Sequence, residues 1–175
     1  MLNKYVIFTT QRTGSSWLVD MLHNNSNIAS YAELFRLNVN QDFPLFCEKD
    51  IKLFNRWKVK YNPIFDFFRK KQQINEYFDE IVLLNSDKKH VSALGCKIMY
   101  NQVNKNQTLL RNSFVFFDKF IHLKRRDHLR VAISHVFMEQ TGVSHSESDV
   151  DLEPIEVNIS NIVYYLKVIK DINLK

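Results

Sequence analysis

The stretch that most constrains this chain is "KYVIFTTQRTGSSWLVDML", which begins at Lys4. "YVIFTT" is apolar and β-branched and reads as a buried strand. In "SSWLVDMLHNN" the apolar residues Trp17, Leu18, Met21 and Leu22 recur at helical spacing. Asn24, Asn25, Ser26 and Asn27 end that helix. Between the two lies "QRTGSS", small and hydroxyl-bearing, with Arg12 at its rim. The chain has only 3 Gly, so placing Gly14 in this turn is informative. Glycine lets a backbone approach a ligand closely. The first N–H groups of the following helix are unpaired, and with the helix dipole they favour an anion. Ser15 and Ser16 add hydroxyl donors, and either is also suited to cap the helix. Arg12 adds a permanent charge with a fork of donors. Two readings fit the local chemistry, an anion-holding loop and a helix cap beside an exposed arginine. A Walker A loop does not fit, because it needs an earlier Gly and a Lys where the helix begins.

The rest of the chain alternates in the same way. "IASYAELF" reads as a second strand, and Phe43 to Ile81 as an aromatic-rich helical excursion. "VSALGCKIMY" reads as a third strand, with Gly95 hinting at close backbone approach or a bulge. "QTLLRNSFVFFDKF" is predicted helical and "FIHLKRRD" a fourth strand. "HLRVAISHVFMEQ" has Leu129, Ile133 and Val136 on one helical face, and "ISNIVYYLKVIKDI" closes as a helix. This order predicts an α/β fold, a P-loop-like three-layer sandwich with a central parallel sheet and helices on both faces. With 175 residues, no linker and no repeat, one domain over 1–175 is expected. Cys47 and Cys96 have neither metal-ligand spacing nor disulfide density. Both are expected to be buried thiols, and a cytoplasmic setting without a signal peptide or a membrane span is expected.

A second unusual stretch is "HLKRRDHLRVAISH". Arg126 falls at the end of the predicted fourth strand, and Ser134 follows eight residues later in the next helix. An arginine at a strand end can reach the carboxyl-end crevice where open α/β sheets bind ligands. Lys124, Arg125, Arg126 and Arg130 make the surroundings densely positive, and a solvated basic face is the plainer reading. The net charge of +5 suits any anionic partner and chooses none.

Together the two stretches resemble the sulfotransferases that use 3′-phosphoadenosine-5′-phosphosulfate (PAPS), in particular the bacterial carbohydrate branch of nodulation-factor and trehalose sulfotransferases. "QRTGSSWL" is similar to the family's 5′-phosphosulfate loop, and "RDHLRVAIS" matches the Arg-to-Ser spacing of its 3′-phosphate motif. "SYAELF" resembles the family's Glu-bearing strand, and "GCKIMYNQ" a G-x-K-[LI]-M-x-x-Q segment. "EQTGVSH" is similar to a Q-T-G-x-W-H segment, with Ser144 in place of the Trp. The likeness runs from about Tyr5 to His145. Family members commonly continue further, which leaves open a minimal version, a fragment and a degenerate relative of the domain.

The resemblance implies a fold, a reaction and roles. Arg12 would grip the phosphosulfate and offset charge on the leaving phosphate. Thr13, Gly14, Ser15 and Ser16 would bind its oxygens, and Trp17 would lie against the adenine or, as plausibly, in the core. Arg126 and Ser134 would bind the 3′-phosphate. Glu33, at the end of the second predicted strand, is the candidate general base, with a surface or salt-bridged glutamate as the alternative. Lys97 reads equally as a ligand contact and as a strand-end surface lysine. His122 alternates with apolar neighbours and is expected to be packed. His135 and His145 are possible acceptor-site groups, and aromatics between Phe43 and Phe68 are possible sugar-stacking surfaces. PAPS would be a co-substrate, no metal is expected, and the acceptor would be a hydroxyl, on a carbohydrate by resemblance. A nucleotide-binding module without catalysis is the alternative. Nucleic-acid binding ranks last, since the acidic run from Glu147 to Glu156 breaks any uniformly basic face.

Overall fold

A computed structural model describes residues 2–35, 67–86, 90–105, 107–142 and 156–173, the side chains of 67–71, 86, 105, 172 and 173 excepted. The chain divides into two compact units, Met1–Leu123 and Lys124–Lys175, each taken here by itself.

In the first unit the elements are β1 (Asn3–Thr9), α1 (Ser15–His23), β2 (Ile28–Tyr31), α2 (Phe67–Ser86), β3 (Ala93–Met99), α3 (Tyr100–Lys105), α4 (Gln107–Phe116) and β4 (Lys119–Leu123). The strands form one sheet in the order β2–β3–β1–β4, and every neighbouring pair is parallel. The chain leaves β1 toward β2 on one side, and leaves β3 past β1 toward β4 on the other. Connections therefore diverge at the carboxyl ends of β1 and β3, the position where open α/β sheets hold ligands.

The period-2 alternation of the central strands sends their side chains to two cores. Val6, Phe8, Leu94, Cys96, Ile98, Ala29 and Tyr31 pack with α2 and α4 residues on one face. Tyr5, Ile7, Ile28 and Ala93 pack with Leu18, Val19 and Leu22 of α1 on the other. Helix α2 lies on its face because Ile74, Tyr77, Phe78 and Ile81 repeat at helical spacing and are all buried. Phe78 stacks on Phe116 and meets Phe35 and Phe117 edge-on. The expected parallel sheet with helices on both faces is thus present.

Gly95 is required by close approach. It is in register with Tyr5 on β1 and Ser30 on β2. A Cβ on Gly95 would overlap the Tyr5 carbonyl and lie 2.5 Å from two carbons of its ring. The Tyr5 ring therefore lies across the glycine. Its buried hydroxyl is near Ser30 but completes no hydrogen bond of good geometry, and burial pushes Tyr5 up to about 12.

Several expectations shift. The second strand stops at Tyr31, because Leu34 N–H bonds to the Ala32 carbonyl at 2.9 Å and turns the chain at Glu33. The fourth strand stops at Leu123, because its partner β1 ends at Thr9, opposite Leu123, and no ladder extends to Arg126. His122 is exposed rather than packed, with its ring edge-on to Tyr100 at 5.5 Å. In α1 the buried side turns toward Ser15, Leu18, Val19 and Leu22, leaving Trp17 and Met21 outward. Helix α3 was not anticipated. Cys96 is a free buried cysteine, as expected. Cys47, His145, Ser144 and the aromatic stretch from 43 to 66 lie outside the described residues.

The second unit contains α5 (His128–Thr141) and α6 (Ile159–Asn173). Asp127 caps α5, its Oδ1 accepting from the Arg130 N–H at 3.0 Å. Leu129 and Ile133 are exposed, and Val131, Ala132 and Val136 are the buried residues, so the inward face is rotated from the one expected. Helices α5 and α6 meet where His135 stacks on Tyr165 at 4.8 Å. The Tyr165 hydroxyl donates to Glu139, which together with burial pushes that tyrosine up to about 12.

Candidate functional site

The turn after β1 is pinned from below. Thr9 is buried, and its Oγ1 lies 2.6 Å from Thr13 Oγ1 and 3.2 Å from the Leu123 carbonyl. Thr13 Oγ1 also reaches the Thr10 carbonyl at 3.1 Å. Thr13 thus belongs to the scaffold of the loop. Above this anchor the chain takes two left-handed steps, Arg12 at φ 61° and Gly14 at φ 83°. The second suits glycine, and the first costs an arginine about 1–2 kcal/mol. Such strain persists only where its surroundings hold it, and it concentrates at ligand-binding turns.

Gly14 is the N-cap of α1, and among the described residues no side chain caps this helix end. The expectation that Ser15 or Ser16 does so is corrected, since both already stand inside the first helical turn. Among the described residues the first-turn N–H groups thus have no side-chain cap, and the turn itself holds no acidic residue. That fits an anion. Ser15 is buried, whereas Thr13, Ser16 and Arg12 are half-buried and Gly14 is exposed. Trp17 is 68% exposed, which excludes the core alternative.

Ser16 leads to the rest of the site. The Lys97 ammonium donates to Ser16 Oγ at 3.2 Å and pairs with Glu33 Oε1 at 3.1 Å. Gln102 Nε2 donates to Glu33 Oε2 over a long 3.4 Å. Gln102 Oε1 in turn accepts from the Met99 N–H at 3.0 Å, which fixes the direction of the amide. One polar chain therefore runs from the first turn of α1, through β3, to the segment after β2 and the first turn of α3. Lys97 side-chain exposure is only 3%, so the surface reading of this lysine is corrected. Glu33 keeps 17% side-chain exposure, so its carboxylate is not sealed from solvent.

Sequence reasoning left Lys97 open and gave no role to Gln102, although Gln102 closes the G-x-K-[LI]-M-x-x-Q segment. A signal was present. Lys97 interrupts the apolar β3, and a central parallel strand has no solvent face, so a lysine there needs a buried partner. Among the described residues no group of three or more His, Cys, Asp or Glu side chains could hold a metal.

Arg126 and Ser134 belong to the second unit. Arg126 is exposed, in the segment before α5, and its carbonyl accepts from the His128 N–H at 3.0 Å. Ser134 lies half-buried in α5. Arg130 is engaged by Asp127, Nε to Oδ2 at 3.2 Å, with both side chains exposed.

A parallel α/β sheet, a helix start with a glycine N-cap after its first strand, a left-handed arginine in the turn and a carboxylate on the same polar chain make an α/β protein whose first turn suits an anion. The chain belongs to the Stf0 sulphotransferase family, whose model matches residues 4–171. This is a family of bacterial carbohydrate sulfotransferases that includes trehalose sulfotransferase. No curated protein matches the chain. Among the described residues no helix is long and apolar enough to cross a membrane.

Proposed function

We propose that the protein transfers a sulfuryl group from PAPS to a hydroxyl of a carbohydrate or glycolipid acceptor. One observation carries this reading. The Glu33 carboxylate and the Ser16 hydroxyl of the anion loop stand on either side of a single nitrogen, Lys97 Nζ, at 3.1 and 3.2 Å. A base and an anion loop at that spacing suit an acceptor hydroxyl beside a bound phosphosulfate.

The loop from Arg12 to Ser16 receives the 5′-phosphosulfate on backbone N–H groups and hydroxyls. The exposed Trp17 face takes the adenine. Arg126 and Ser134 are assigned to the 3′-phosphate on their sequence pattern. The acceptor oxygen attacks sulfur in line, and the bond from sulfur to the bridging oxygen breaks with its electrons going to the departing adenosine 3′,5′-bisphosphate. The acceptor proton passes to Glu33, and Arg12 offsets the charge arriving on the leaving phosphate. As in phosphoryl transfer, the protein supplies positioning and electrostatics.

The test is incubation with PAPS and a panel of sugars, trehalose among them, with release of adenosine 3′,5′-bisphosphate as readout. Glu33→Gln should lose turnover and keep nucleotide binding. Arg12→Ala should lose turnover, and unchanged turnover in that variant refutes the loop assignment. Tight bisphosphate binding without transfer to any sugar would instead leave a nucleotide-binding module.

A further inference from the structure

Lys97 is the least expected polar residue of the first unit. It is buried in β3, yet its ammonium reaches one group on α1 and one in the segment after β2. An ammonium has three N–H donors and no acceptor. Its contact with Ser16 can therefore run one way only, with Ser16 Oγ accepting. The single Ser16 proton must then point elsewhere. Ser16 is half-buried in the first turn of α1, beside the uncapped N–H groups. A hydroxyl that accepts from a cation is also a stronger donor through its own proton.

The same logic applies to Glu33. Lys97 can only donate to Oε1. Gln102, its amide direction fixed by Met99, donates to Oε2. The carboxylate is thus held at both oxygens. A base beside a bound phosphosulfate also places two anions close together, and the cation between them offsets that repulsion.

We propose that Lys97 is a positioning residue that sets the polarity of this site: it turns the Ser16 hydroxyl into an outward donor for the bound 5′-phosphate and holds Glu33 where the acceptor proton must go. The proposal rests on the donor-site reading given above, and adds a residue through which the anion loop and the base are linked.

The experiment is a double-mutant cycle on binding of adenosine 3′,5′-bisphosphate by calorimetry. The proteins are wild type, Ser16→Ala, Lys97→Met and the double variant. Each single change should weaken binding about tenfold, the scale of one charge-assisted hydrogen bond. The double variant should be no weaker than about tenfold, because both changes remove the same bond. Additive losses near a hundredfold overturn the proposal, as does wild-type affinity in Lys97→Met. A wild-type protein that binds no bisphosphate overturns the donor-site reading and the proposal with it.

A second arm reads turnover of PAPS with the best sugar of the panel. Lys97→Met should lose about a hundredfold in kcat with little change in the acceptor KM, and Glu33→Gln/Lys97→Met should be no slower than Glu33→Gln. Loss in KM with kcat retained overturns the positioning role. Should Lys97→Met lack a cooperative melt, Lys97→Gln is read in the same way. That variant is polar, uncharged and able to reach one partner at most, and wild-type affinity and kcat in it overturn the proposal.

Discussion

Arg12 combines a charge the chemistry needs with a backbone conformation that disfavours it, so one position separates stability from activity. At φ 61° an arginine is in the left-handed region, which costs a residue with a Cβ about 1–2 kcal/mol. Glycine relieves that strain but loses about 0.5–1 kcal/mol in unfolded-chain entropy. Comparing Arg12→Gly with Arg12→Ala removes the guanidinium from both, so its contacts cancel and only the backbone difference remains. Those ranges leave the glycine variant more stable by about 0–1.5 kcal/mol, centred on about 0.75 kcal/mol. For a chain of this size that centre is roughly 1.5–3 °C in Tm. Urea denaturation of both variants in parallel measures the difference through the midpoint at constant slope. Turnover of PAPS should fall in both by about 10²–10³, the usual effect of removing one stabiliser of developing charge. An alanine variant more stable than the glycine variant refutes the strained turn. Wild-type turnover in either refutes the role of the charge.

The remaining predictions are shorter. Burial holds Tyr5 near 12 against an ordinary 10, so its folded form binds the proton more tightly than its unfolded form. The resulting stability is complete below pH 10 and is lost as pH rises toward 12, by at most about 1.4 kcal/mol per pH unit. Tyr5→Phe should flatten that part of the stability–pH curve, and an unchanged slope contradicts the burial. Gly95→Ala forces a Cβ into the Tyr5 carbonyl and ring and should cost about 1–3 kcal/mol or more, seen as a Tm drop of roughly 3–10 °C. An unshifted Tm would mean the β1–β3 register is wrong. Trp17→Ala should leave stability within about 0.5 kcal/mol, because the ring is exposed. It should weaken bisphosphate binding at least fivefold, since base stacking on an aromatic is worth about 1–3 kcal/mol. Equal affinity removes Trp17 from the adenine site.

The strand, loop and helix at the N-terminus were legible because their chemistry changes sharply at Thr9 and again at Ser15. Gly95 was legible for a similar reason, as a glycine inside an apolar strand where something must approach closely. Boundaries that depend on a neighbour were not legible. β4 stops at Leu123 only because β1 stops at Thr9, and nothing in "HLKRRD" itself announces that. Helix α3 was missed because "YNQVNK" is short and polar, with Val103 its one fully buried apolar residue. The helical spacing in α1 was real, but apolar residues span more of that helix than its sheet-facing side can cover. Trp17 was thus ambiguous until the helix was oriented. Glu33 came through resemblance as a site residue, and Lys97 and Gln102 are fixed positions of another segment of that resemblance, but that these two hold Glu33 needed coordinates. They come from β3 and α3, more than sixty residues along the chain from Glu33.

The donor is the centre of this account, and it is tested most directly by calorimetry of adenosine 3′,5′-bisphosphate against AMP. The two ligands differ in the 3′-phosphate, the group assigned to Arg126 and Ser134. A charge-assisted contact there should make the bisphosphate bind at least about tenfold more tightly, and Arg126→Ala should erase that preference. Equal affinity for the two nucleotides, or a preference untouched in Arg126→Ala, would contradict it.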